Sequence, residues 1–514
     1  MTAMARAAFA GVAALLGVAL APARAHAFCG FFVAGNDAKL TNNASQVVLM
    51  RKGNRTVMTM SNTYQGPPQD FAMVVPVPVV LAKENVKTLP ADVFDRVDSL
   101  SAPRLVEYWE HDPCGPVEQP PVWELGWQDI GGVAQRMSKK SKRDLGVTVE
   151  ARFVVGEYEV VILSAKESQG LDTWLRQSGY HIPPGAAAAL APYVRDRSKF
   201  FVARVDITKV RRDAQGVVQL SPLRFAFDAN ELRLPVRLGL LNATGKQDLI
   251  VYVINPDARF EVANYRNAFI PTNLEVGDGV RDSFAAFYAE LFDATVERMG
   301  RKVVVTEYAW QTTKCDPCPG PVLTLDDLST LGLDVLDGIG ASPPPAVPPA
   351  GTTKPSVIAR DEANAAATRA RPPRFVGRQP SWVLTRLHAR YDKDSLVEDL
   401  VFRQAPPVVG GRGGATVAEQ DAGAQLVSDG TPSSFQGRYI IRHYWTGQLT
   451  CEHPAFERWG GPPDDSYASN RAKPAKGLAT APRGRVALRN EVRSPVPLLG
   501  IAGMPPPARA KPAR

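Results

Sequence analysis

The stretch PLRFAFDANELRLPVRLGLLNATGKQDLIVYVI, residues 222–254, decides the fold class. Its apolar runs are strand-length and are separated by turn residues, Asp228-Ala229-Asn230 and then Gly245. The pattern continues on both sides. KFFVARVDI (199–207) and VVQLSPLRFAF (217–227) lead in, and RFEVANY (259–265) leads out, so residues 199–265 read as a long β meander. Further out, QVVLMRKGNRTVMTM (46–60) is two strands around Gly53-Asn54, and VTVEARFVVGEYEVVILS (147–164) turns at Gly156-Glu157. FAMVVPVPVVL (71–81) is an extended run whose Pro76 and Pro78 forbid helix and indicate an edge strand or a strand end. KVVVTEYAW (302–310), WVLTRLHARYD (382–392), LVEDLVFRQ (396–404) and RYIIRHYWTG (438–447) add strands.

Helices are fewer. Pro90 opens ADVFDRVDSL, with Val93, Val97 and Leu100 on one stripe. LDTWLRQSGY ends at Gly179, and Pro183-Pro184 start a helix that runs to about Arg195. SFAAFYAELFDATVERM (283–299) carries Phe284, Phe287, Tyr288, Leu291 and Phe292 at i, i+3, i+4 spacing. Thr324 caps a short helix, LDDLSTLG. Without regular βαβ alternation the class is α+β and β-dominated, mostly antiparallel sheets with a few flanking helices.

The expected organisation starts with a signal peptide over 1–27. A main body follows over 28–339, with a subdomain split near 140 as an option. Then come a Pro/Ala-rich linker at 340–380 and a β segment at 381–460 that returns to the body. That segment carries a flexible loop at 405–434, and a basic disordered tail closes the chain at 461–514. The signal peptide rests on Arg6, the apolar run Ala7 to Ala21, and Ala25-His26-Ala27 with small residues at the cleavage site. The expected address is therefore the periplasm or the extracellular space, with no membrane span after cleavage.

The net charge of +8 is concentrated at one end. Residues 461–514 hold ten Lys/Arg against three acids, so the tail alone is +7. Such a tail suits anionic envelope polymers. Nucleic acid is excluded as a partner: the compartment is wrong and no aromatic-interleaved basic patch accompanies the charge.

Several motifs together resemble the bacterial family catalogued as domain of unknown function 2330. They are Cys29-Gly30 with Phe31-Phe32, MVVPVP (73–78), WLRQSGY (174–180), residues 222–254, CDPC (315–318) with LTLDDLSTLG, LTRLHARY (384–391), and RYIIRHYWTG up to Cys451. The resemblance spans roughly 28–455. It implies an exported bacterial protein without an established activity and supplies no catalytic residue.

Five cysteines follow the cleavage site: Cys29, Cys114, Cys315, Cys318 and Cys451. In an oxidising compartment they are disulfide candidates, with connectivity open. Cys315 and Cys318 are expected to bond to each other at the end of the 302–310 strand. Cys29 is expected to pair with Cys114, leaving Cys451 as the odd thiol. Two other chemistries stay open. A redox Cys315/Cys318 pair would need the first cysteine at a helix N-terminus, but Pro319-Gly320-Pro321 intervene. Cys315, Cys318, Cys451 and His453 form a conceivable tetrahedral metal set.

The remaining candidates are weaker. His111 lies between Glu110 and Asp112 and could touch a metal. His388 reads as a strand-face residue, and His181, His443 and His453 are isolated in sequence. Trp174, Tyr180, Trp310, Trp382, Tyr444 and Trp445 could form a stacking platform, though aromatics of this kind more often build core. Gly410-Gly411-Arg412-Gly413-Gly414 reads as linker. HExxH, GxSxG, Walker and Rossmann patterns are absent, and no cofactor is implied. The leading expectation is a non-catalytic envelope or secreted binding or scaffold protein. The alternative is an exported enzyme, either a thiol oxidoreductase or a metal-dependent hydrolase.

Overall fold

The computed structural model describes residues 31–34, 44–61, 71–115, 147–336, 382–413, 423–462, 473–474 and 481–507, apart from positions 181, 207, 213–217, 243–244, 429 and 482. The expected signal peptide, Cys29, His181 and the 340–380 linker lie outside the described residues. The architecture is α+β, β-dominated and mostly antiparallel.

A long sheet forms the centre. Its middle runs Val303–Gln311, Val383–Tyr391, Gln247–Asn255, Ala44–Lys52, Arg55–Ser61 and Leu223–Asp228 in spatial order. These strands are Val/Ile-rich because both sheet faces are covered. On one face, Val47, Leu49, Val251, Val253, Leu387 and Ala389 pack against Met73, Val75, Val160, Ile162 and Phe201 of a five-stranded sheet. On the other face lie two helices. Asp92–Ser101 buries Val93, Phe94, Val97 and Leu100 against Val48, Met50, Tyr252 and Leu384. Val280–Arg298 buries Phe284, Phe287, Tyr288, Leu291 and Phe292. Its aromatic side meets Tyr439 and Ile441 of the strand Arg438–His443.

Four sequence expectations are corrected. Phe71–Val77 is an inner strand, paired with both Phe31–Ala34 and Lys199–Val205, so the edge-strand alternative fails, while the strand-end alternative holds, the strand stopping directly before Pro78. Its proline is tolerated because the ladder with Phe31–Ala34 stops at Val74, before Pro76. ELRLPVRLGLL is not one strand: it is extended only over Leu232–Leu234, and past Pro235 it tightens into the 3-10 turn Arg237–Asn242. Residues 405–434 are not wholly loop, because Val408–Gly410 pairs with Ser434–Gln436 and continues the central sheet. The Gly410/Gly411 reading as linker fails for the same reason. Gly411 has φ +68° and lies so close to the Gln436 carbonyl that no side chain would fit.

The fourth correction concerns the tail. Residues 483–507 pack on the body, with Val492 and Val496 buried beside Val280 and Phe284. Val492 bridges Val276, and the Arg493 amide donates to the Glu275 carbonyl at 2.8 Å. Two apolar anchors and a borrowed strand edge hold a segment whose composition alone suggested no fold. Among the described residues no helix is long and apolar enough to cross a membrane.

Candidate functional site

Arg386, His388 and Arg390 alternate along Val383–Tyr391, so all three project from one face of the strand. That face is the helix-covered one, and the cations are buried there. Arg386 and His388 are each 1% exposed. Burying such charges is costly unless each is paired, and each is. Arg386 Nη1 donates to Asp98 of helix Asp92–Ser101 at 2.5 Å, and its Nε donates to Glu307 at 2.5 Å. His388 Nδ1 meets Glu307 at 2.7 Å, and its Nε2 meets Asp248 at 3.0 Å. Arg390 Nη1 reaches the other Asp248 oxygen at 2.9 Å and approaches Asp293 at 3.5 Å. Arg483, from the packed tail, closes the end with Asp293 at 2.6 Å and Asp248 at 3.5 Å. Four carboxylates, Asp98, Glu307, Asp248 and Asp293, therefore alternate with four cations, Arg386, His388, Arg390 and Arg483.

A β-bulge makes the centre of this chain. Thr306 pairs with Leu387 but Tyr308 pairs with Arg386, which leaves Glu307 as the extra residue. Glu307 and Tyr308 consequently both turn to the helix side. Glu307 is fully buried and also accepts from Tyr288 Oη at 2.5 Å. Burial pushes the Glu307 carboxyl up, but the charges of His388 and Arg386 and the hydrogen bonds from His388 and Tyr288 outweigh it, holding it at about 2. Burial pulls His388 down, yet Glu307 and Asp248 prevail and its pKa is raised. Since both ring nitrogens face carboxylates, both carry protons, and the residue is an imidazolium. Phe292 stacks on the ring with centroids 3.8 Å apart and planes 19° apart.

The chain reaches solvent at each end. Asp98 is 23% exposed, and Tyr252 and Gln46 hydrogen-bond beside it. At the other end Asp293 and Arg390 line a cleft of about 300 Å³ together with Lys246, Glu290, Glu297 and Arg301.

A second cluster sits where strands Arg104–Glu110 and Arg438–His443 run parallel. Glu107 accepts from His443 Nε2 at 2.9 Å and from Arg281 Nη2 at 2.7 Å, and Trp109 stacks on His443 at 4.5 Å. The His443 hydrogen bond, with Arg281 beside it, holds Glu107 at about 2 against the opposing effect of burial.

Of the two expected cystine pairs, Cys315–Cys318 is present and Cys29–Cys114 is not. Cys315 bonds to Cys318, with Cα atoms 5.0 Å apart, and Cys114 bonds to Cys451, with Cα atoms 5.5 Å apart. Cys451 is therefore not the odd thiol, and Cys114 is not available to Cys29. The parallel pairing of Arg104–Glu110 with Arg438–His443 explains this, because it brings the two chain segments that follow these strands side by side.

The proposed metal set of Cys315, Cys318, Cys451 and His453 is not assembled, since all three sulfurs are in disulfides. Among the described residues no group of His, Cys, Asp or Glu is arranged to hold a metal ion. His111 packs against Gly460, while Glu110 accepts from the amides of Trp445 and Glu457. The six aromatics do not form one platform. Trp174 and Tyr180 pack in one cluster, Trp310 and Trp382 in another, and Tyr444 donates to Glu275.

The sequence places His388 on a strand face but does not connect it with Asp98, Asp248, Asp293, Glu307 or Arg386. The one available signal was the polar alternation in LTRLHARY within an otherwise apolar sheet. Among known proteins, no curated protein and no solved structure matches the chain. A family model described as an uncharacterized protein conserved in bacteria matches residues 22–403, well over half of the 514. The protein thus belongs to that bacterial family, domain of unknown function 2330 (DUF2330).

Proposed function

We propose that this is an exported cell-envelope or secreted protein that acts by binding or scaffolding and not by catalysis. One observation carries the reading: the strongest polar constellation is spent on itself. His388 has both nitrogens committed and one ring face under Phe292. Glu307 serves Arg386, His388 and Tyr288 at once. A general acid or base needs an atom within hydrogen-bond reach of its substrate, and these atoms are taken by the fold. Export is supported by the leader-like residues 1–27 and by two cystine links, which persist in oxidising compartments.

Anionic envelope polymers are the partner class we favour. Arg483 and Arg493 are tied to carboxylates, but Arg485 and Arg489 are exposed on the packed tail. The competing thiol-oxidoreductase reading has one feature in its favour, the exposure of Cys318. Against it, the next helix begins only at Leu325, so no helix N-terminus activates the pair.

Expression in a bacterial host with the native leader tests the proposal. The expected product is found outside the cytoplasm, begins at Phe28, and shows no catalytic turnover in an insulin-reduction assay. It binds vesicles containing lipopolysaccharide in a salt-sensitive way, weakened by R485E/R489E. An uncleaved cytoplasmic product would overturn the export reading, and thiol turnover would overturn the non-catalytic one.

A further inference from the structure

The packed tail is held by two unlike sets of contacts. Residues 488–504 are anchored by burial: Val492 and Val496 are in the core, the Arg493 amide donates to Glu275, and Glu275 N donates to Ser494 Oγ at 2.8 Å. The leading end, Arg483 and Gly484, is held by polar contacts. Arg483 Nη1 donates to the Ala289 carbonyl at 3.0 Å and to Asp293 at 2.6 Å, and its Nη2 lies 3.5 Å from both Asp248 oxygens. The Gly484 amide donates to Glu290 at 2.7 Å. Gly484 has φ +68°, a backbone turn that suits glycine, next to Arg483.

We propose that Arg483 and Gly484 form a releasable latch that opens when Asp293 is protonated and so exposes the Asp248–His388 end of the buried ion chain to solvent. Arg483 is the outermost cation of that chain, and Asp248 touches both it and His388. Removing Arg483 therefore takes away one of the two arginines that cover Asp248, leaving Arg390 as the other. Asp293 is the group placed to release it. It faces Arg483 from the tail, Arg390 from one strand, Asp248 from another, and Glu290 and Glu297 on its own helix. Lys246, Arg301 and Asp392 complete the cleft. Glu297 is itself tied to Arg301 at 2.7 Å. Burial raises the Asp293 carboxyl above its ordinary value, and Arg483 and Arg390 do not fully compensate. Asp293 thus takes a proton before an ordinary aspartate does. Protonation leaves Arg483 and Arg390 with Asp248 as their shared carboxylate, while His388 keeps Glu307 as well; Arg390 is fixed in a central strand, so Arg483, on the tail, is the cation that leaves.

Hydrogen exchange on the full mature chain tests this, with protection factors read at the Gly484 amide and, as an internal control, at Val492, Met504 and residues 250–254. At pH 7, D293N is expected to lower protection at Gly484 about tenfold, as for loss of a charged hydrogen bond, while the controls stay as in wild type. D293N leaves the Glu290 side chain unaltered, so the loss would not come from removing the acceptor of the Gly484 amide. R483A should match D293N, and wild type should converge on both as the pH falls toward the aspartate range. Should D293N unfold globally, the wild-type titration decides: a step at Gly484 ahead of the controls supports the latch. Unchanged Gly484 protection in folded D293N and R483A, or a wild-type titration in which Gly484 and the controls move together, would overturn it.

Discussion

Replacing Glu307 with glutamine is expected to destabilise the protein by about 3–5 kcal/mol, the cost of removing one partner from a buried ion pair. Among the four carboxylates of the ion chain, Glu307 alone contacts both Arg386 and His388, each 1% exposed. Without its charge, two buried cations keep only Asp98 and Asp248. Glutamine keeps the volume and one acceptor, so the loss reports charge and not cavity formation. The control is Glu297→Gln, which breaks the exposed, solvent-screened pair with Arg301 and should cost little by comparison. Urea unfolding of the two variants at pH 6 checks the contrast; equal, small losses would mean that the chain adds nothing to stability.

The pH dependence follows in sign. Glu307 is depressed from 4.5 to about 2, so its contribution is complete above 4.5 and is lost as the pH falls through about 2. His388 is raised from 6.5, so its contribution is complete below 6.5 and is lost as the pH rises through its folded value. Both contributions are therefore full between 4.5 and 6.5. In E307Q the alkaline fall, which starts at 6.5 in either protein, should be smaller and end closer to 6.5, because Glu307 is the leading cause that opposes burial at His388.

What the sequence showed of this chain, and what it hid, has a physical pattern. Strand and helix identities were legible because they rest on local periodicity: QDLIVYVI and SFAAFYAELF declare their elements within about ten residues. The polar stripe of LTRLHARY was legible too, but alternation in a strand ordinarily means a solvated face. Here both faces are covered, so the stripe is an interior one. Its matching acids lie on separate elements. Asp98 is in a helix, Asp248 and Glu307 are single acids within apolar strands, and Asp293 follows Phe292 in another helix. Only the tertiary fold brings them into register, and the bulge that turns Glu307 inward has no marker in KVVVTEYAW. The packed tail was hidden for a related reason. Val492 and Val496 have no periodic context in a Pro-rich segment, and their burial depends on a groove formed by residues 274–296.

Breaking Cys114–Cys451 is expected to destabilise the protein far more than breaking Cys315–Cys318, although both are single cystines. A cross-link acts mainly by restricting the unfolded chain, and the restriction grows with the logarithm of the loop it closes. The Cys114–Cys451 loop spans 337 residues of sequence separation and the Cys315–Cys318 loop spans 3. The chain-entropy relation gives roughly 6 and 2 kcal/mol respectively, and measured cross-links rarely exceed about 5. C451S is therefore expected to lose about 4–5 kcal/mol in urea unfolding, and C318S under about 2. The local packing agrees. The CDPC loop keeps its other ties without the bond: Arg104 Nη1 donates to the Pro317 carbonyl at 3.0 Å, the Gly413 amide donates to Asp316 at 2.6 Å, and Gln436 also holds Asp316. By contrast, the Cys451 amide donates to Cys114 Sγ at 3.1 Å, so the long-range bond is itself part of the contact it secures. Non-reducing peptide mapping should recover Cys114 linked to Cys451. A peptide joining Cys29 to Cys114, or equal losses in the two variants, would show that the parallel pairing of Arg104–Glu110 with Arg438–His443 is not what this disulfide staples.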